Sequence, residues 1–480
     1  MHPSLLRTHL RRTLIAIAFL FLVIWLFKPS GPVSTSHAVI EAPEAPMPPP
    51  APTGRRWIHE QAIAVRVSPS SRSQAKAWIG ANEPFETFAS VEGSQCGNPG
   101  WAKTAGNGFV CLEGARSTEE APVRLPRLVR FVHPDPKDWD EYMATMAYNT
   151  NPEDKIDALV PFIYAKRWGK WRGPNYKNVA AYVAGEPPTR RLSNNRKYHF
   201  VDAEQTARGT VLVRENGQAI PADQVHIYPL TKFHGWNMLD EPVAPGFLPA
   251  WAIDYDGTPI HVAPDPQSEI AERLPYHTAL VVEDEPVDRA GKWWMMPNGL
   301  GPGTPGFVQT DTGIRRWTPF PAEDDVKPGE IWLDVDLEQQ ILAVRRGQDV
   351  EFVTLVSTGA LGTVTPRGIF EIQSKTAWGD MASRPGSDDP YYVEKVPWVM
   401  SFKARYALHG AFWHWGFGHP ASHGCINLSV RDARWIYDRV SPIAFGGWQS
   451  AMATAKERGT TLRIRRGTSP VADRRTRSYQ

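Results

Sequence analysis

The sequence has almost no excess of charge of either sign. Its 53 basic and 51 acidic residues leave a formal net charge of +2, whereas binding to nucleic acid needs a clear basic excess or stripe. Nucleic acid is therefore not expected as a partner. Cysteine is also scarce, with three in 480 residues and no CxxC pair. Although cysteine and histidine are common zinc ligands, this spacing argues against a metal site.

The sequence also lacks a long apolar run. The longest stretch, from Leu14 to Phe27, has 14 residues and follows several arginines, whereas a membrane-spanning helix needs roughly 20. Residues 1–38 are therefore predicted to be a signal peptide or a short membrane anchor. The Pro-rich residues 39–54 should form an extended linker. Both predictions place the rest of the chain in the periplasm or cell envelope. The chain would be anchored in the inner membrane if the helix is not cleaved.

Residues 55–124 predict a small antiparallel β module, because short alternating strands are separated by Pro and Gly. Cys96 and Cys111 flank a predicted hairpin, and an oxidising compartment would let them form a disulfide. Cys425 is then the odd thiol. An unpaired cysteine in an exported protein is a candidate reactive group.

Residues 251–320 repeat the pattern of the first module, beginning with WAIDYDGTPIHVAP at Trp251. Both modules resemble bacterial Src-homology-3-like (SH3-like) barrels, which often accompany cell-wall enzymes. The alternative is two purely structural β modules. The intervening residues 125–250 form an accessory region with a predicted hairpin around Glu215-Asn216-Gly217, and the sequence assigns no chemistry to it.

The densest group of reactive side chains lies in ALHGAFWHWGFGHPASHGCIN, residues 407–427. A thiol close to several imidazoles in a Gly-rich segment is what nucleophilic cysteine chemistry requires. The surrounding residues 327–467 predict mostly antiparallel strands. A helix is expected after Ser429, which can cap its first turn, with Asp432 favoured there by the helix dipole.

Six segments of this region carry a family resemblance: IWLDVDLEQQILAVRRG, LVSTG, TPRGIFEI, VPWVMSF, ALHG and SHGCINLS. In this order they resemble the YkuD-type L,D-transpeptidase catalytic domain of bacterial peptidoglycan enzymes. The resemblance implies a β-sandwich with a cysteine beside a cleft and a flap near residues 376–395. The expected fold class is thus mainly β: a YkuD-type domain, two SH3-like β modules and an N-terminal signal or membrane helix.

The resemblance also implies roles for the residues around the thiol. Cys425 would be the nucleophile and His409 its base, oriented by the Gly410 carbonyl. His423 is expected to be a further catalytic-site residue that lines the cleft as a substrate or oxyanion-side contact. The backbone N–H groups of Gly424 and Cys425 are the expected oxyanion donors. Further expected substrate contacts are Ser422, Asn427 and Trp398. His414 and His419 are interpreted as loop or rim residues without a catalytic role.

The implied reaction is acyl transfer from a tetrapeptide stem, with release of the terminal D-Ala, to an amine of a neighbouring stem, which gives a 3-3 cross-link. The same site could instead use water, as an L,D-carboxypeptidase, or a protein lysine, as a lipoprotein-anchoring transpeptidase. A non-catalytic wall-binding protein is the remaining alternative. No cofactor or metal is required, carbapenem-type β-lactams are expected inhibitors, and residues 468–480 form a basic tail.

Overall fold

The computed structural model describes residues 54–122, 159–167, 173–288, 291–321, 326–387 and 390–467. The chain divides into two units, residues 1–53 and 54–480, and all described residues belong to the second. The predicted signal or anchor segment, nearly all of the linker and the basic tail lie outside the described residues. Within those ranges, no helix has the length and apolar character needed to cross a membrane.

The first β module contains seven short strands. They are β1 Arg55–Ile58, β2 Ile63–Arg66, β3 Ala75–Ile79, β4 Phe85–Val91, β5 Trp101–Thr104, β6 Gly108–Cys111 and β7 Arg116–Ser117. Cys96 and Cys111 form the disulfide that the sequence predicts. Trp448, from the C-terminal domain, completes the hydrophobic core of this module.

The accessory region is also mostly β. Its elements are β8 Ile163–Arg167, β9 Pro174–Asn175, α1 Val179–Val183, β10 Arg190–Arg191, β11 Arg196–Phe200, β12 Asp202–Thr206, β13 Gly209–Val213, β14 Ala219–Pro221, a 3-10 turn Ala222–Gln224, β15 Val225–Ile227 and β16 Trp236–Asn237. The predicted hairpin is confirmed: β13 and β14 pair antiparallel on either side of Glu215-Asn216-Gly217.

The second β module has its own core. Its elements are β17 Phe247–Ala252, β18 Thr258–His261, β19 Ile270–Leu274, β20 Ala279–Glu283, β21 Trp293–Met296, β22 Gly306–Gln309, α2 Thr310–Gly313 and β23 Ile314–Arg316. They form two sheets, β20-β17-β23 and β19-β18-β22-β21, which enclose apolar side chains such as Leu248, Ile260 and Trp294. Both modules are small β units, and their SH3-like character stays a prediction.

The C-terminal domain contains most of the long strands. Its elements are β24 Ile331–Asp336, β25 Ile341–Arg346, β26 Asp349–Leu355, β27 Gly368–Glu371, β28 Ser374–Ala382, β29 Tyr392–Lys403, β30 Tyr406–Gly410, β31 Ile426–Leu428, α3 Val430–Tyr437, β32 Trp448–Met452 and β33 Thr461–Arg465. The predicted α3 cap is confirmed, because Ser429 Oγ accepts the Asp432 N–H at 3.0 Å. The expectation of a mainly β fold is confirmed as well.

Two sheets build this domain. One has the order β16-β26-β25-β24-β33-β27. The other runs from β15, β8 and β11 of the accessory region through β29, β28 and β32 to β3 of the first module, with β30 on β29 and β31 on β30. Because strands from outside the domain extend its sheet at both ends, the accessory region and the first module are continuous with it.

A buried charge cluster fixes the parallel pair β24–β33. The guanidinium of Arg463 donates two hydrogen bonds of 2.9 Å to the Asp334 carboxylate, and Arg465 bridges Asp334 and Asp336. All four side chains are almost completely buried. Burying charges is tolerated here because every carboxylate has a paired, hydrogen-bonded cation.

Candidate active site

Cys425 and His409 line one cleft of about 360 Å³ in the C-terminal domain. The parallel pairing of β30 and β31 explains this, since it sets His409 beside Asn427, two residues after Cys425. The other residues that line the cleft are Asn194, Asn195, Lys197, Met381, Pro390, Tyr391, Val393, Arg405, Trp413, Ala421, Ser422, His423 and Asn427.

The Cys425 thiol is half-buried and is the free cysteine of the described chain. Its Sγ lies 3.8 Å from the Arg405 carbonyl oxygen, to which the S–H donates. Burial raises the pKa of Cys425, and a backbone hydrogen bond from Ala407 partly offsets that effect. The resting sulfur is therefore a protonated thiol, which needs a base to become a nucleophile.

His409 is buried and lines the same cleft as the thiol. Its Nδ1 lies 3.3 Å from the Gly410 carbonyl oxygen, which can only accept. Nδ1 therefore carries the proton, and Nε2 is left with a free lone pair. Burial, with a smaller effect of His414, lowers the pKa of His409 to about 4. The resting pair is thus a neutral thiol and a neutral imidazole.

The turn before Cys425 is shaped by Ser422 and Gly424. Ser422 Oγ donates to the Cys425 carbonyl at 2.5 Å and accepts the Gly424 N–H at 3.0 Å. Gly424 has φ +113°, and a Cβ at this position would lie 2.6 Å from the Tyr406 ring, so a glycine is required. The Gly424 N–H is bonded within this turn, and its role as an oxyanion donor stays a prediction. Ser422 likewise holds the loop and is not a free substrate contact.

His423 lies on the exposed side of the same turn. Its ring is 5.0 Å from that of Tyr391, between centroids, and both residues line the cleft. His423 therefore has the cleft position that the sequence predicts. Its aromatic neighbour Tyr391 is not indicated by any sequence motif.

Trp398 is the clearest correction. Its side chain is 1% exposed and belongs to the domain core, where its ring lies 5.2 Å from that of Tyr437. The prediction that Trp398 contacts substrate is therefore wrong. Trp413 provides the aromatic wall instead, with its ring centroid 5.6 Å from that of His409.

The loop histidines differ in their contacts. His419 Nε2 lies 2.8 Å from the Ile253 carbonyl oxygen of the second β module, so it holds the loop against that module. His414 is half-buried, and its Nε2 lies 2.9 Å from the side-chain amide of Asn427. His419 has the structural position expected for it, whereas His414 touches a residue of the cleft.

One wall of the cleft comes from the accessory region. Strand β11 pairs in parallel with β29, and the Tyr392 N–H donates to the Asn195 carbonyl at 2.9 Å. This pairing brings Asn194, Asn195 and Lys197 to the cleft. The Lys197 ammonium lies 5.7 Å from the centroid of the Trp413 ring. No local motif marks these residues, because only the fold brings them near the thiol.

A buried carboxylate attaches that wall. Glu394 on β29 binds Arg214 Nη2 at 2.8 Å and His199 Nδ1 at 2.6 Å, and it also pairs with Arg196. Burial alone would raise the pKa of Glu394, but the hydrogen bonds from His199 and the charge of Arg214 lower it below its ordinary value. Glu394 therefore remains ionised and joins the accessory region to the catalytic sheet.

Fold and cleft together define a mainly β domain with a cysteine and a histidine at one site. Residues 330–464 match the family model of the YkuD L,D-transpeptidase catalytic domain, so the resemblance is confirmed for this part of the chain. The match does not extend to the β modules or the accessory region.

Known proteins resemble parts of the chain. The YciB protein of Bacillus subtilis is 26% identical over 135 residues, which cover 24% of this chain and 64% of that protein. L,D-transpeptidase 2 of Mycobacterium tuberculosis is 29% identical over 206 residues, which cover 38% and 50% of the two chains. The matches thus span less than two thirds of either relative. The catalytic domain of the E. faecium L,D-transpeptidase acylated by ertapenem is 22% identical, with a TM-score of 0.23, over 29% of this chain and 98% of that one.

Proposed function

We propose that this protein is a peptidoglycan L,D-transpeptidase that works by acyl transfer through Cys425. The observation that carries the proposal is that the free thiol and a buried imidazole line one cleft. The Gly410 carbonyl fixes the tautomer of that imidazole, and both residues lie in the segment that matches the family.

The first half of the reaction forms a thioester. His409 Nε2 takes the Cys425 thiol proton as the sulfur attacks the carbonyl of the third, L-centred residue of a tetrapeptide stem. The tetrahedral intermediate then collapses, and the C–N bond to the terminal D-Ala breaks. The same Nε2–H protonates the departing amine, so the imidazole is again neutral when D-Ala leaves.

The second half transfers the acyl group. An amine of a neighbouring stem attacks the thioester, and His409 Nε2 accepts a proton from that amine. The C–S bond breaks, the thiolate is reprotonated by the imidazolium, and a 3-3 cross-link results. Because the resting thiol and imidazole are both neutral, proton transfer should accompany attack and should not precede substrate binding.

The charge of the cleft supports an anionic substrate. Lys197 and Arg405 line it, and none of the lining residues that the structure describes is acidic. Carboxylates of a stem peptide complement these cations. Water or a protein lysine could replace the acceptor amine at the same thioester, which would give a carboxypeptidase or a lipoprotein-anchoring enzyme. We also propose that the chain acts in the periplasm or cell envelope and that carbapenem-type β-lactams acylate Cys425.

Incubation of the purified protein with disaccharide tetrapeptide, followed by mass spectrometry, tests the reaction. Cross-linked dimer with loss of D-Ala is the expected product, whereas tripeptide alone would indicate hydrolysis. Cys425→Ala should be inactive, and His59→Gln, in the first module, is the matched control with wild-type turnover. Absence of turnover by the wild type would reject the enzymatic proposal. A fusion to a reporter that is active only after export tests the location.

A further inference from the structure

Two lysines lie directly opposite each other on neighbouring strands of the accessory region. Lys166 on β8 pairs with Lys197 on β11 in the antiparallel register, so both side chains leave the same face of the sheet. Lys197 also lines the cleft. Like charges that face each other across a strand pair destabilise a sheet, so folding alone does not account for this pair.

Three aromatic rings support the two ammonium groups. The Lys166 Nζ lies 5.4 Å from the centroid of the Tyr228 ring, and the Lys197 Nζ lies 5.7 Å from that of Trp413. Phe412 connects these rings, with centroid distances of 5.6 Å to Tyr228 and 5.0 Å to Trp413. Both ammonium distances are within the range of cation–π attraction. A continuous row of rings therefore supports both charges and ends at Trp413, which lines the cleft.

The charge of Lys166 is available to a ligand. The residue is exposed, and no carboxylate in the part of the chain that the structure describes forms an ion pair with it. Its other cross-strand neighbour is His226 on β15, whose pKa is lowered by burial and by the charge of Lys166. His226 is therefore predominantly neutral at neutral pH, and the charge of this cross-strand row comes from its two lysines.

A ligand of this pair must carry more than one anionic group and must reach the thiol. Lys197 and Cys425 line the same cleft, so a ligand held by the lysine pair extends to the nucleophile. A stem peptide meets both conditions, because it carries several carboxylates along one chain together with the carbonyl that Cys425 is proposed to attack. Carboxylates two or three residues apart in an extended peptide are separated by roughly 7–10 Å, a span that two flexible lysine side chains on adjacent strands can reach.

We propose that Lys166 and Lys197 form a subsite for two carboxylates of the stem peptide, and that Lys166 is a specificity-determining residue. It selects stems whose carboxylates are free over stems in which they are amidated, because a neutral carboxamide gains no charge-assisted hydrogen bond from an ammonium group. The inference rests on the proposed function. It extends the substrate site beyond the cleft and beyond the segment that matches the family, since β8 lies outside residues 330–464.

Binding measured without turnover tests the subsite directly. In full-length Cys425→Ala protein, calorimetry should show that a stem tetrapeptide with free carboxylates binds about 10-fold more tightly than the same peptide with its non-terminal carboxylates amidated. Adding Lys166→Gln should weaken binding of the free acid by about 5- to 10-fold and leave binding of the amidated peptide unchanged. Lys166→Arg keeps the charge and should retain most of the affinity.

Three controls separate this role from a general loss of structure or charge. Lys103→Gln, in the first module, also removes one positive charge and should bind both peptides as the parent does. With Cys425 present, Lys166→Gln should react with iodoacetamide, a neutral reagent, at the wild-type rate. Raising the salt concentration from about 50 to about 200 mM should weaken binding of the free acid more than that of the amidated peptide.

The outcomes are distinct. No binding of either peptide, equal affinities of the parent for both, or undiminished affinity of Lys166→Gln for the free acid would overturn the proposal. An equal loss for both peptides would also overturn it, since that would indicate a structural role. Tighter binding of inorganic polyphosphate than of the tetrapeptide would assign the lysines to an anionic polymer and reject the stem peptide. If the tetrapeptide binds as expected but the wild type does not turn it over, the proposed function fails while the subsite stands.

Discussion

Glu394→Gln should loosen the attachment of the accessory strand β11 to the catalytic sheet. The Glu394 side chain is 2% exposed and accepts from Arg196, Arg214 and both the ring and the backbone N–H of His199. Removing one partner of a buried ion pair typically costs about 3–5 kcal/mol. The lower end applies here, because the Arg196 side chain is 37% exposed and can regain water.

A loss of about 3 kcal/mol corresponds to about 150-fold in the local opening equilibrium. Hydrogen–deuterium exchange should therefore accelerate in β11 by up to that factor, while the amides of β24 stay protected. The matched control is Glu371→Gln, which removes a partly exposed pair with Arg458 and should cost at most about 1 kcal/mol. Unchanged exchange in β11 would refute the view that Glu394 holds the cleft wall.

The same variant predicts a pH dependence with a definite sign. The pKa of Glu394 is lower in the folded protein than its ordinary value. A carboxylate with a depressed pKa stabilises the fold above its unfolded pKa, near 4.3, and loses that contribution as the pH falls toward the folded pKa. The exchange difference between wild type and Glu394→Gln should therefore be full at neutral pH and shrink below about pH 4.

Three more predictions concern the cleft and the core. Burial raises the pKa of Cys425 and lowers that of His409, so the rate of Cys425 alkylation by iodoacetamide should keep rising as the pH enters the alkaline range. A rate that is constant between about pH 5 and 8 would instead indicate a resting ion pair. Lys197→Gln should raise KM for the tetrapeptide about 10-fold with a smaller effect on kcat. If Lys197→Gln and the control Lys103→Gln had equal KM values, Lys197 would have no anion-binding role. Asp334→Asn should lower the unfolding free energy by about 3–5 kcal/mol, and an unchanged thermal midpoint would contradict a stabilising role of the buried cluster.

The local elements were predictable because their causes are local. Ser429 caps α3 with its own hydroxyl, and the turn at Glu215-Asn216-Gly217 joins two strands that pair directly. Each depends on residues within a few positions in sequence. The same holds for Cys425 and His409, whose flanking residues carry the family motifs.

Positions that depend on which face of a strand is covered were not predictable. Trp398 lies in the uniformly apolar run VPWVM, which gives no alternation to separate the core side from the cleft side. In β24, Leu333 and Val335 do alternate with acidic residues, yet Asp334 is buried too. Distant arginines on β33 pair with that carboxylate, and no pattern within β24 could reveal them.

The catalytic loop shows why the accessory parts matter for chemistry. The family match covers residues 330–464, but Lys197 comes from the accessory region and the Gly416 backbone is fixed by contacts with the second module. An isolated fragment of the matched segment would keep Cys425 and His409 but would lose one wall of the cleft. It would also lose the second-module contacts at Gly416 and Gly418. Since a nucleophile needs its donors held in place before the reaction, we expect the proposed activity to require these flanking parts as well as residues 330–464.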